Sequence, residues 1–492
     1  MFSILQLSDL HRSEPEPISN DTLIASLLAD RNRFPIETPA IRQPDAMIVS
    51  GDIVEGVQLG QSGYSDALKK QYAVARDFLA RLTERFFAGD HSRVVLVPGN
   101  HDCCWNTAFS GMTPVAEKEV PTNLIGQLEL PNSPLRWSWR ERKLYEISNP
   151  DAYARRLDNY WDFVEGFYSG VKLKFPIRRD TGYNLFELDE GRILVAAFES
   201  LHGNDCFSHQ ASFDPAAVAS AALQVHDEGG YYNLRIAVWH HGLHSEPSYR
   251  SDYLSIHSVY ELIGHGFQLG LHGHQHFAEV GSHYVHLPGE RKMAVVSAGS
   301  LCAGGRDLPR GVNRQYNVVI VSDDYSEARV HVREMTRGNH FAPSAGVMGF
   351  ANGLVRMRLS STKATDGVQV DTDRTRRSEL ILEAESHLRA GRSTEAFDVL
   401  SRVDCTDEPY GRRLLIQAAE QSERWNELAV VLSNPETGDE RIQLVEALTR
   451  LGRIEDALAH LRRSDGPPLA EHVRRELRER VERLGVMSGR RQ

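Results

Sequence analysis

Aspartate, asparagine and histidine gather in five short groups within the first 276 residues of this 492-residue chain. They are Asp9-Leu10-His11, Gly51-Asp52, Gly99-Asn100-His101-Asp102, His240-His241 and Gly273-His274-Gln275-His276. Carboxylate, carboxamide and imidazole without thiolate make a mixed oxygen and nitrogen donor set. Such a set suits manganese first, then iron, zinc, cobalt or nickel, better than calcium or a structural zinc. The chemistry within its reach is phosphate ester hydrolysis with two divalent cations roughly 3.5 to 4 Å apart, one activating water while both stabilise charge developing on phosphorus. Cations that close need a shared anion, and Asp52 in its tight Gly-Asp turn is the natural bridge. Asp9 and His11 stand two residues apart and reach one ion, Asn100 offers a carbonyl oxygen, and His240, His274 and His276 offer imidazoles. At the fourth group either His240 or His241 supplies the ring.

Each group follows a short apolar run, at residues 4–7, 47–49, 94–97, 236–239 and 269–271. Read as strands, these runs deliver their polar side chains to one edge of a common sheet, where α/β folds place their chemistry. Residues 64–87 carry Leu68, Tyr72, Ala75, Phe78, Leu79 and Leu82 at helical spacing, which predicts a crossover helix between the strands bearing Asp52 and Asn100. Further strand signals at 183–188, 193–198, 293–296 and 316–321 complete an α/β fold with a two-layered β-sandwich core flanked by helices, ending by about residue 340. Arg12 is expected in an exposed ion pair or against a substrate phosphate. His244 and His272 flank the ligand groups, and Glu199, Ser200 and His202 follow a strand that reaches the same edge.

Residues from about 107 to 180 interrupt this pattern with Trp137, Trp139, Tyr145, Tyr153, Tyr160 and Trp161, interleaved with Arg136, Arg140, Arg142, Arg155 and Arg156. Aromatic faces suit bases and guanidinium groups suit phosphates, so the insertion reads as a cap that selects substrate. The same aromatics would equally form the core of an inserted helical subdomain. A stretch rich in Gly, Ser, Thr and Asp over 343–375 is the expected linker between a catalytic domain, 1–342, and an all-α domain, 376–492. In that second domain Ala390-Gly391-Arg392, Glu423-Arg424 and Leu451-Gly452-Arg453 recur at about 30 residues between helical stretches. They resemble tetratricopeptide-type helical repeats, which would bind a protein partner or a second copy, or pack as a bundle on the first domain.

Hydrophobic residues make up 41% and charged residues 25%, the balance of a globular chain, and no apolar run approaches the ~18 to 20 residues of a membrane span. A net charge of −11 argues against broad, sequence-independent DNA binding, although two bound dications would reverse the sign locally. Five cysteines without a C-x-x-C pair, and an N-terminus that leads straight into Asp9 and His11, predict a reducing, cytoplasmic setting without a signal peptide.

In order, the groups read D-x-H, G-D, G-N-H-D, H and G-H-x-H, and over about residues 1 to 340 the chain resembles the calcineurin-like metallophosphoesterase superfamily. The resemblance implies that Asp9, His11, Asp52 and His276 hold one metal, and that Asp52, Asn100, His240 and His274 hold the other. It favours His240 over His241. It also implies attack by a metal-activated hydroxide, with His101 as the acid for the leaving group and Asp102 orienting it. The expected function is a phosphodiesterase on nucleic acid or nucleotides. The alternatives are a phosphomonoesterase on nucleotides or phosphoproteins, and a partner-regulated nucleotide sensor or scaffold with little turnover.

Overall fold

The computed structural model describes residues 1–13, 18–128, 133–229, 231–243, 252–285, 291–304, 307–344, 353–360, 380–381, 383–385, 387–388, 391–402, 409–435, 437–463, 469 and 471–489. The chain divides into two compact units, Met1–Val285 with Glu290–Asp366, and His286–Gly289 with Gly367–Gln492.

In the first unit, three parallel strands come first: β1 (Phe2–Leu7), β2 (Ala46–Ser50) and β3 (Val94–Val97), linked through helices α1 (Asn20–Arg31) and α2 (Tyr64–Phe87). Helix α3 (Trp105–Ser110) opens the insertion, whose small sheet holds β4 (Met112–Pro114), β5 (Leu135–Ser138) and β6 (Lys143–Ile147) in the order β4-β6-β5. Helices α4 (Leu124–Leu128), α5 (Pro150–Ala154) and α6 (Asp158–Phe167) complete it. A second large sheet follows, made of β7 (Tyr183–Leu188), β8 (Ile193–Phe198), β9 (Leu234–Val238), β10 (Leu269–His272), β11 (Glu279–Val285) and β12 (Arg291–Ser297). Its order is β11-β12-β10-β9-β8-β7, with α7 (Ala217–Asp227) and α8 (Ile256–Gly264) in its connections. The chain then returns to the first sheet with β13 (Gln315–Val321), β14 (Glu327–Thr336), β15 (His340–Pro343) and β16 (Leu354–Arg358). There β15-β14-β13-β1-β2-β3 run in order and β16 also pairs with β14.

Strand periodicity explains why two sheets form one sandwich. On the second sheet Val195, Ala197, Ile236 and Val238 join the core shared with β1, β2, β3 and β13, whereas the alternate residues Leu194, Ala196, Phe198 and Ala237 pack with Val218 and Ala221 of α7 and Val259 and Leu262 of α8. Period-two burial on both faces requires near-continuous apolar strands, and both sheets supply them. Buried amides pin the layers together. The Gln6 Nε2 donates to the His272 carbonyl at 3.1 Å, and the Asn317 Nδ2 donates to the Ser297 carbonyl at 3.0 Å.

Two expectations change here. Strand β16 lies inside the expected linker, where Val355 and Met357 alternate with Arg356 and Arg358 and pair antiparallel with β14. Five residues between Gly- and Ser-rich flanks are too few for their alternation to stand out. Residues 345–352 and 361–375 of that linker lie outside the described residues. The insertion, for its part, is neither wholly a cap nor an independent subdomain. Helix α6 buries Tyr160, Phe163 and Phe167 in the main core, with the Phe163 ring 5.2 Å from Tyr72 of α2, while Ala108, Met112, Tyr145 and Tyr153 form a small core of their own.

The second unit contains helices Ser393–Leu400, Pro409–Gln421, Trp425–Val431, Gly438–Arg450, Ile454–Arg462 and Glu471–Gly489, each packed on the next around one apolar core that includes Phe397, Leu400, Leu444 and Leu461. The three turns singled out in the sequence share one geometry. Gly391, Glu423 and Gly452 adopt left-handed φ values of 73°, 57° and 71°, and the following Arg392, Arg424 and Arg453 amides each donate 2.9 Å back to the carbonyl five residues earlier. That is a Schellman closure of the preceding helix, and it is glutamate rather than glycine that takes the strained position in the middle copy. Among the described residues, no helix is long and apolar enough to cross a membrane.

Candidate metal centre

All five ligand groups sit just beyond the C-terminal ends of parallel strands: β1, β2 and β3 in one sheet, β9 and β10 in the other. The sandwich therefore brings residues more than 260 positions apart within hydrogen-bonding distance, as the 3.3 Å between the Nε2 atoms of His11 and His276 shows. One donor atom from each of Asp9, His11, Asp52 and His276 lies within 4.8 Å of all the others. Beside them, His240 Nε2 is 3.0 Å from Asn100 Oδ1 and 3.3 Å from Asp52 Oδ2, and His274 Nδ1 is 3.1 Å from Asn100 Oδ1. Asp52 thus borders both groups, with Oδ2 3.7 Å from His11 and 3.3 Å from His240.

The donor chemistry fits cations. The His240 Nδ1–H donates 2.8 Å to the Ser50 carbonyl, and the His276 Nδ1–H donates 2.7 Å to the Asp307 carbonyl. Each ring is thereby held as the tautomer whose Nε2 presents a lone pair inward, toward carboxylate and carboxamide oxygens that are themselves acceptors. Asp9 Oδ1 is buried, with His276 Nε2 3.1 Å away. Burial disfavours charge on His240 and His276, yet Asp52 beside the first and Asp9 beside the second outweigh it and raise both rings to about 9. A pocket that anionic attracts protons or metal ions by the same field.

Backbone strain is concentrated at the same residues. Asp9, His11, Asp52, His274 and His276 all have positive φ, between 42° and 74°. Strained non-glycine residues persist where the surrounding fold over-determines them, and they cluster at functional sites. The glycines of the groups answer a packing need. A Cβ on Gly51, itself at φ 94°, would lie 2.3 Å from His240 Nδ1, and one on Gly99 would lie 2.2 Å from Asp52 Oδ1.

His101 faces the pair of groups from the rim, with Nε2 4.0 Å from Asp52 Oδ2 and its ring edge-on to His11 at 4.6 Å. Its Nδ1–H donates 2.6 Å to the Glu55 carbonyl. Asp102 does not orient that ring directly. Its Oδ2 accepts from the amides of Gly99 at 2.8 Å and Ile53 at 3.1 Å, and its Oδ1 accepts from the Tyr72 hydroxyl at 2.9 Å, so it fixes the loop that carries Asn100 and His101. Burial and the nearby Asp52 raise the Asp102 carboxyl to about 6, with the two amides opposing the shift.

Neighbouring residues are sorted by the same geometry. His241 places Nδ1 2.8 Å from the Ser200 hydroxyl and its ring centroid 4.8 Å from that of His274, whereas His240 Nε2 meets Asn100 and Asp52. Arg12 is fully buried and donates to Cys302 Sγ at 2.8 Å and to the Ile18 carbonyl at 3.1 Å, which removes it from both the surface and the substrate. His272 stacks on Trp239 and His202 lies 3.7 Å from Asp214; His244 is outside the described residues. Sequence reasoning missed the carbonyls of Ser50, Glu55 and Asp307. Any residue offers a carbonyl, so no side-chain signal marks them.

From His11, His101 and His276 a cleft of about 1650 Å³ runs outward past Trp105, Trp137 and Trp139. The Arg-rich insertion contributes fewer free cations than its composition suggests. Arg136 is buried against Asp205 at 2.5 Å and Arg156 donates to the Leu201 carbonyl at 3.1 Å.

The sequence model of the calcineurin-like phosphoesterase family matches residues 2–278. No curated protein matches the chain. Among solved structures, a dimetal phosphatase from Danio rerio is similar at 10% identity and a TM-score of 0.36, with 68% of this chain and 96% of that one covered. A protein from Thermus thermophilus is similar at 16% identity and a TM-score of 0.28, covering 65% and 93%. Vps29 of Entamoeba histolytica, complexed with zinc, is similar at 10% identity and a TM-score of 0.24, covering 73% and 99%.

Proposed function

The chain belongs to the calcineurin-like phosphoesterase family, and on that premise we propose that it is a dinuclear metal-dependent phosphodiesterase acting on nucleic acid or nucleotide diesters. Asp9, His11, Asp52 and His276 would hold one divalent cation, and Asp52, Asn100, His240 and His274 the other. Bound there, the pair supplies Lewis acidity toward phosphorus and activation of water. Manganese is the first expectation, because the donors are oxygen and imidazole nitrogen without sulfur.

The remaining work falls to the chain's own residues. With Nδ1 committed to the Glu55 carbonyl, the His101 Nε2 is the atom placed to hand a proton to the departing oxygen. Asp102 and Tyr72 keep the His101 loop in register through the Gly99 and Ile53 amides. The strained turns hold the ligands in place before substrate arrives, so little reorganisation is needed during reaction.

The observation that supports a diester over a monoester is the cleft. At about 1650 Å³ it exceeds the roughly 300 to 1,000 Å³ of ordinary small-molecule pockets and continues well past the reacting residues. A phosphomonoester would fill only its inner end. Turnover of bis-p-nitrophenyl phosphate and of p-nitrophenyl phosphate, each with added manganese, tests the reading. Turnover of the diester is expected, and activity confined to the monoester would overturn it.

A further inference from the structure

We propose that Trp139, backed by Trp137, is a stacking ledge for an unpaired nucleobase, which makes the substrate single-stranded nucleic acid. The proposal rests on the phosphodiesterase reading and adds the substrate class.

Leu135, Trp137 and Trp139 line the cleft along β5 and the turn beyond it, and the intervening Arg136 and Ser138, which also border it, are buried. Trp139 is 84% exposed, the most exposed large hydrophobic among the described residues. Its ring stands edge-on to Trp137 at a centroid distance of 6.1 Å, which braces one indole and leaves the faces of the other open. An indole exposed at the wall of the cleft offers a stacking face, and every base offers a π-face to match it.

Charge selects among nucleic acids. Among the described residues lining the cleft, the cations are Lys70, Arg136 and Arg140, and Arg136 is already paired with Asp205. Glu55, Asp66, Glu141 and Asp307 line the same walls. A duplex, with one negative charge per roughly 1.7 Å of axis, needs a track of Lys and Arg that these walls lack. An unpaired strand can gain its affinity from stacking instead, and its scissile phosphate would then lie toward His11, His101 and His276 at the inner end.

The test uses the full chain with manganese and three substrates: short single-stranded oligothymidylate, its abasic sugar-phosphate counterpart, and bis-p-nitrophenyl phosphate. Trp139→Ala is expected to raise KM for oligothymidylate about tenfold more than for bis-p-nitrophenyl phosphate, with Trp139→Tyr within about twofold of wild type. Wild type should show a similar tenfold penalty on the abasic strand, and Trp139→Ala should add nothing to it. Equal effects on all three substrates, or none, would overturn the ledge. If wild type cleaves bis-p-nitrophenyl phosphate but no oligonucleotide, the ledge fails while the phosphodiesterase reading stands. Activity on monoesters alone removes both.

Discussion

The first unit buries carboxylates in two places and treats them in opposite ways. At the far end of the first sheet, Asp30 is fully buried yet saturated. The Arg333 Nε donates to Oδ2 at 2.8 Å, an Arg333 terminal nitrogen donates to Oδ1 at 2.5 Å, and the Tyr316 hydroxyl donates to Oδ2 at 2.5 Å. At the ligand-bearing edge, Asp9 and Asp52 are as deeply buried, yet each accepts one backbone amide, from His274 at 3.1 Å and His101 at 2.9 Å, and otherwise faces imidazoles, His276 at 3.1 Å and His240 at 3.3 Å. One cluster carries a permanent counter-charge on arginine, and the other has only titratable imidazoles beside it. A buried acid held by a bidentate arginine is structural; buried acids that share titratable imidazoles are what a cation site requires.

Replacing a residue in each cluster should separate them. Asp52→Asn, the largest effect, is expected to abolish turnover by at least about 10³-fold and to lower bound manganese measured by elemental analysis. His101→Ala should cost about 10² to 10⁴ in kcat while metal content stays at the wild-type level, since the ring borders the ligands without joining them. Loss of metal along with rate would make His101 a ligand. Arg333→Met leaves Asp30 buried without its partner and should cost about 3 to 5 kcal/mol in denaturant unfolding. Manganese should still raise the thermal midpoint of that variant by mass action, as it does for wild type. Tyr316→Phe removes one of the three donors on Asp30 and is expected to cost about 1.5 to 3 kcal/mol with activity retained. A neutral result there would mean that Arg333 alone satisfies the carboxylate.

Much of the ligand-bearing edge is legible along the chain because strand and turn are local. Apolar runs of three or four residues become β1, β2, β3, β9 and β10, and the polar group after each run emerges where its strand ends. The type and order of Asp9, His11, Asp52, Asn100, His240, His274 and His276 were therefore available from residue spacing. The paired acid of the second cluster was not. Asp30 and Arg333 are 303 positions apart, and nothing near either one announces the other.

The same division holds within the insertion and the helical unit. The Gly-Arg turns at 391 and 452 signal helix ends by composition, and Glu423 takes up the same left-handed turn without that signal. Arg136 and Arg156 look in sequence like phosphate grips, and only the folded chain shows them committed to Asp205 and to backbone carbonyls. By itself the sequence determined the donor atoms, the strand ends that carry them and the kind of reaction they suit, because these depend on residue type and near-neighbour periodicity. The tertiary structure decided that His240 Nε2 meets Asn100 and Asp52, that Asp102 is bonded to the loop amides and Tyr72, and that the exposed indole at the cleft is Trp139. Those outcomes depend on which distant strand or carbonyl lies alongside, and only the topology of the two sheets sets that.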